Sequence, residues 1–129
     1  MLAAQAKTGP LVLCVVEADA SVREALCRLA SAGGFRARAF ATIEQLVSEL
    51  EPGGKGCVLL DSSLVRNATS LGKMLRSRCF DWPLIVLCAS ADEAARHEAR
   101  DLGASLLLNK PVDAQALFDS IAWVTDQAT

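Results

Sequence analysis

Cys57-Val58-Leu59-Leu60-Asp61 decides the fold, because an unbroken apolar run ends there on a carboxylate. A run of this length fits a strand covered on both faces, although periodicity alone also allows a buried helical segment. The polar pair Ser62-Ser63 opens a loop directly afterwards, so the strand delivers Asp61 to the edge of a sheet. An acid in that place is either a cap or turn residue or part of a site. The rest of the chain decides between them.

Upstream, Leu11-Val12-Leu13-Cys14-Val15-Val16 is another continuous apolar strand, ending in the polar segment Glu17-Ala18-Asp19. Ser21-Val22-Arg23-Glu24 reads as a capping box opening a helix with Val22, Ala25, Leu26 and Leu29 on one stripe, stopped at Gly33-Gly34. Phe35 to Phe40 alternates, which predicts a strand with one more exposed face at a sheet edge. Thr42-Ile43-Glu44-Gln45 is a second capping box, whose helix carries Ile43, Leu46, Val47 and Leu50 to a break at Pro52.

Downstream, Leu71, Met74 and Leu75 mark a third helix weakened by Gly72. Asp81-Trp82-Pro83 turns the chain into the apolar strand Leu84 to Cys88. Ser90-Ala91-Asp92-Glu93 is a third capping box, before an Ala-rich helix that ends at Leu102-Gly103 and whose small side chains predict loose packing. Leu106-Leu107-Leu108 is the last strand, followed by Asn109-Lys110-Pro111. Asp113 caps a final helix with Leu117, Ile121 and Val124 inward and Trp123 on the opposite side.

Five strands alternating with five helices predict an α/β fold, a flavodoxin-like (βα)5 doubly wound arrangement with a five-stranded parallel sheet and helices on both faces. Ligands of such sheets gather at the carboxyl ends of the strands. The residues there are Glu17, Ala18 and Asp19, then Asp61, then Cys88 with Ala89 and Ser90, then Lys110. Carboxylates accept phosphoryl groups when a cation meets the developing charge. Magnesium typically takes one or two protein carboxylates, and a lysine serves phosphate as a point charge. These residue types suit phosphoryl transfer to Asp61.

The chain of 129 residues is long enough for one domain with a real core, 52% of it hydrophobic. Residues 1–10 read as a ragged end and 11–129 as the domain. No apolar segment reaches the roughly 18 residues of a membrane span. With a net charge of -2 and scattered basic residues, nothing forms a nucleic-acid footprint. The five cysteines, Cys14, Cys27, Cys57, Cys79 and Cys88, form no C-x-x-C pair and read as core hydrophobes of a reduced, cytoplasmic protein.

From Leu11 to Val124 the sequence resembles the receiver domains of two-component response regulators. The resemblance rests on the element order, Asp61 ending the third strand, Asp101-Leu102-Gly103-Ala104 before the fifth and Lys110-Pro111 after it. It implies that a sensor histidine kinase, a phosphotransfer protein or a small phosphodonor phosphorylates Asp61. Lys110 then contacts the phosphate, and magnesium binds at Glu17 and Asp61. It further implies an output domain or partner protein and no enzyme activity beyond magnesium-dependent self-phosphorylation.

Several positions depart from the family pattern. Ala18 stands where the acid that contacts the metal directly is usual, so magnesium binding is expected to be weak; Asp19, one residue late, is expected to cap the helix instead. Cys88 replaces the usual Thr or Ser. A hydrogen bond to a charged group contributes about 1.5–3 kcal/mol, and a thiol is a weak donor. Leu107 replaces a common aromatic, and the loop after Asp61 lacks the usual Pro. Two readings therefore stand side by side: a phosphoacceptor with an atypical switch, or a phosphorylation-independent interaction and dimerisation module in which Asp61 and Lys110 are a retained ion pair. An unrelated enzyme using Cys88 or Cys14 is disfavoured, since His97, the one histidine, falls well inside a helix and reads as a solvated surface residue. Trp123 points to homodimerisation through the last two helices.

Overall fold

The computed structural model describes residues 11–50, 54–78 and 81–128. The expected ragged end, the break at Pro52 and Cys79 lie outside them. β1 (Val12–Val16), β2 (Arg36–Phe40), β3 (Gly56–Asp61), β4 (Leu84–Cys88) and β5 (Leu106–Asn109) form one parallel sheet in the order β2-β1-β3-β4-β5. The winding direction reverses at β1, and the crevice above β1 and β3 is the place where such sheets bind ligands. Val16 pairs with Leu60, so Glu17 and Asp61 leave the sheet side by side.

The apolar strands β1, β3 and β4 are covered on both faces by α1 (Ala20–Ala32), α2 (Ile43–Glu49), α3 (Ala68–Ser77), α4 (Glu93–Leu102) and α5 (Ala114–Ala128). One core layer joins Leu13, Val15, Leu59, Ile85 and Leu87 to Leu26 of α1 and to Leu117, Ile121 and Val124 of α5. The other joins Cys14, Val16, Val58, Leu60 and Val86 to Leu46 of α2, Leu71 of α3 and Leu102 of α4. The alternating β2 is an edge strand, as its pattern predicts. Cys14, Cys57 and Cys88 are buried, Cys27 is half-buried, and all four are free thiols.

Two of the three expected capping boxes are corrected. α1 begins at Ala20 with Asp19 as N-cap, its Oδ1 accepting from the Val22 amide; α4 begins at Glu93 with Asp92 accepting from the Ala95 amide. In each case an ionised Asp lies near the serine and meets the positive end of the helix with a full charge, which a hydroxyl lacks. Thr42 does cap α2, accepting from the Gln45 amide, while the Gln45 side chain accepts from Ala41. Asp113 caps α5 through the amides of Gln115 and Ala116.

Gly72 has a second meaning that propensity does not carry. It is buried where α3 meets the end of α4, and a Cβ there would lie 2.9 Å from the Asp101 carbonyl oxygen and 3.0 Å from that of Leu102. The glycine thus lets α3 approach the carbonyl end of α4 closely at this point.

Candidate functional site

Glu17, Asp61 and Lys110 meet in the crevice above β1 and β3. Glu17 is 1% and Asp61 3% exposed, the only buried polar or charged side chains among the described residues. β3 carries Asp61 to its last position, and the Lys110 amide donates to the Cys88 carbonyl at 2.9 Å, which ties the segment after β5 to the end of β4. The Lys110 ammonium then reaches between the acids, 3.2 Å from Asp61 Oδ1 and 2.9 Å from Glu17 Oε1. The Asp61 contact is a hydrogen bond; Glu17 Oε1 is held by charge, since the angles leave it without a hydrogen-bond donor.

Asp61 is held on both oxygens. Oδ1 accepts from Lys110 and from the Ser63 amide at 3.0 Å; Oδ2 accepts from the Ser63 hydroxyl at 2.8 Å and the Ala18 amide at 3.3 Å. Glu17 Oε2 accepts from the Asp19 amide at 3.2 Å. Burial pushes Asp61 up, but the neighbouring Glu17 carboxyl and the hydrogen bonds from Ser63 and Ala18 outweigh it and hold the group at about 2. Burial and the neighbouring Asp61 together push Glu17 up. Burial works against the Lys110 charge, yet the two acids overcome it and raise the ammonium. The three groups titrate as a coupled unit, with Asp61 lowered and Glu17 and Lys110 raised.

The side chains of the other sequence-selected residues surround this centre without joining it. Ala18 contributes only its backbone amide, and Asp19 is turned to its capping role as expected. The buried Cys88 thiol lies 3.5 Å from the Leu108 carbonyl and 3.6 Å from Asn109 Oδ1, and burial pushes it up. Leu107 is half-buried against the α2–α4 side of the core, and His97 is exposed on α4 beside Glu93. Two contributors escaped the sequence reading. Ser63 was visible as a loop residue two places after Asp61, a spacing at which a hydroxyl and an amide can both turn back to a carboxylate. Arg23, absorbed into a supposed capping box, places its guanidinium on the carbonyls of Glu17 and Ala18.

Among the described residues no group of three or more His, Cys, Asp or Glu is arranged to hold a metal, and no helix is long and apolar enough to cross a membrane. The two carboxylates are of the donor type and number that magnesium takes from protein while keeping most of its water, and Glu17 Oε1, 2.9 Å from the Lys110 ammonium, would have to exchange that cation for the metal.

No curated protein matches the chain. Among solved structures, full-length FixJ from B. japonicum aligns at 25% identity and a TM-score of 0.81, over 93% of this chain and 60% of FixJ. The response regulator StyR aligns at 27% identity and a TM-score of 0.79, over 93% of this chain and 61% of StyR. This chain therefore spans about three fifths of either regulator. A CheY-like receiver domain protein from Methanospirillum hungatei JF-1 shares the fold over 93% of this chain and 97% of its own, at 19% identity and a TM-score of 0.79. The model of the response regulator receiver domain matches residues 13–122, and with the parallel sheet, its switch point and the acids and lysine gathered there, the chain belongs to that family.

Proposed function

We propose that this receiver domain accepts a phosphoryl group on Asp61, with weakened magnesium binding and an atypical switch. Receiver domains interact with histidine kinases or phosphotransfer proteins and with output domains, and they typically bind magnesium at the phosphorylation site. The observation that carries the reading is the ionised Asp61 with Lys110 against it at the switch point. In the transfer, an Asp61 oxygen forms a bond to phosphorus as the donor's P–N or P–O bond breaks, its electron pair leaving with the donor. Asp61 must first release one of its hydrogen bonds. Oδ2 is the freer oxygen, because its partners are a rotatable hydroxyl and a long amide contact. Lys110 faces the negative charge that develops.

Glu17 and Asp61 would hold the magnesium ion, whose charge stabilises the transferring phosphoryl group. Ala18 adds no ligand, so labelling by acetyl phosphate is expected to be slow and to need high magnesium. Ala18→Asp should speed it severalfold and lower the magnesium needed, read by intact mass against time. Equal rates with Ala and Asp would contradict the role assigned to this position.

The second reading is a phosphorylation-independent interaction module. It is favoured by the full occupation of both Asp61 oxygens and by a Cys88 thiol engaged with Leu108 and Asn109. It prevails if saturating donor and magnesium give no mass adduct and beryllofluoride leaves the amide spectrum unchanged.

A homodimer through α4 and α5 accompanies either reading. Trp123 is 51% exposed on α5, the one large hydrophobic side chain so placed among the described residues. Trp123→Ala should shift a sedimenting dimer toward monomer while changing stability by less than about 0.5 kcal/mol, the usual range for a surface change. An unchanged dimer would place the interface elsewhere.

A further inference from the structure

Glu17, Ala18 and Asp19 form the turn from β1 into α1, and two of its amides point inward. Ala18 N–H donates to Asp61 Oδ2 at 3.3 Å, and Asp19 N–H donates to Glu17 Oε2 at 3.2 Å. Each amide belongs to a planar peptide unit whose carbonyl faces the opposite way. The carbonyl joined to the Ala18 amide is that of Glu17; the one joined to the Asp19 amide is that of Ala18. Arg23 Nη1 donates to both, at 2.7 Å to the Glu17 oxygen and 3.4 Å to the Ala18 oxygen.

We infer that Arg23 is a positioning residue: by holding two consecutive carbonyls from the α1 side, its guanidinium turns the two peptide planes so that their amides address the carboxylates of Asp61 and Glu17. The 2.7 Å bond is short and charge-assisted. Arg23 lies on the first turn of a regular helix capped by Asp19, so its Cα is fixed relative to the carbonyls it holds. The device gives the site two hydrogen-bond donors from a stretch that lacks the acid at position 18. It also makes Ala18 a backbone participant, a role independent of its side chain.

The placement of the amides stands without phosphorylation; its effect on transfer rests on the phosphoacceptor reading above. The test uses the full chain with Arg23→Ala and Arg23→Lys. Lysine keeps the charge but presents a compact point donor in place of the planar fork. Amide proton exchange at Ala18 and Asp19 should accelerate about tenfold in Arg23→Ala, the fold-change that corresponds to loss of one ordinary hydrogen bond, and by a smaller factor in Arg23→Lys. Amides within β3 and β4 should keep their wild-type exchange. Unchanged exchange at both loop amides in a folded variant overturns the inference, as does acceleration spread evenly over the sheet, which marks general loosening. If Arg23→Ala does not fold, Arg23→Lys carries the test alone by the same criteria. Acetyl phosphate labelling is followed in parallel. Faster loop exchange together with no labelling of the wild type keeps Arg23 in its role and removes the phosphoacceptor reading; faster loop exchange with slowed labelling supports both.

Discussion

Lys110→Met is expected to cost roughly 3 kcal/mol at neutral pH, the lower end of what removing one partner from a buried ion pair costs, because the lysine side chain is 29% exposed. Methionine keeps most of the stem, so the loss reports charge more than packing. What remains is two nearly buried carboxylates side by side at the ends of β1 and β3 with no cation between them. The pH dependence separates this cause from a packing defect. In the wild type Asp61 is lowered from 3.8 to about 2, so its contribution is present above the unfolded value and is lost as pH falls toward 2. Glu17 is raised above 4.5, so its contribution is present below that value and is lost as pH rises through the folded one.

Removing the ammonium takes away a cation that favours the charged form of both acids, and both move up. The folded variant then binds more protons than the unfolded chain above the ordinary carboxylate range, and its stability falls as pH rises. Urea unfolding at about pH 5 and pH 8 checks this: the deficit against wild type should be clearly larger at the higher pH. A deficit equal at both would mean that Lys110 acts through packing alone.

Gly72→Ala should destabilise by about 1 kcal/mol net, against the helix-propensity gain of about 1 kcal/mol that the same change brings in an open helix. The new methyl group meets the Asp101 and Leu102 carbonyl oxygens at 2.9 and 3.0 Å. These are backbone atoms at the end of α4, and they cannot swing aside as a flexible side chain would. Overpacking of this kind typically costs about 1–3 kcal/mol before any propensity gain. Both carbonyls lie just before Gly103, which ends α4 in the left-handed conformation at φ 83°, so relief requires shifting a whole helix terminus. Equilibrium unfolding reads the result directly. A more stable Gly72→Ala would show that the α3–α4 contact relaxes without cost.

These two positions also mark how far the residues alone could be read. The strands, their order of burial and the meeting of Glu17, Asp61 and Lys110 were legible, since unbroken apolar runs ending in polar residues define both a buried parallel strand and its functional end. Gly72 was read through propensity, a local property, whereas its reason is a contact with residues some thirty positions later. Two capping boxes failed differently: Ser21 and Ser90 fit the box spacing, but Asp19, itself expected to cap, and Asp92 lie close by, and any of these side chains can accept from an amide. Arg23 was hidden because nothing in a sequence says that a side chain will hold backbone oxygens five and six residues before it. Ser63 lay within reach of a closer reading, since it sits two residues after the acid it holds.

The cysteines have a practical consequence. Cys14, Cys57 and Cys88 lie on three adjacent central strands, and burial pushes Cys14 up to about 11 and Cys57 up to about 12. At ordinary pH these two are almost wholly thiol, and alkylating reagents attack thiolate. Their modification must wait until the sheet parts and the groups regain water. The rate of alkylation at Cys14 and Cys57, followed by mass, therefore times the opening of the sheet's centre with no label engineered into the chain.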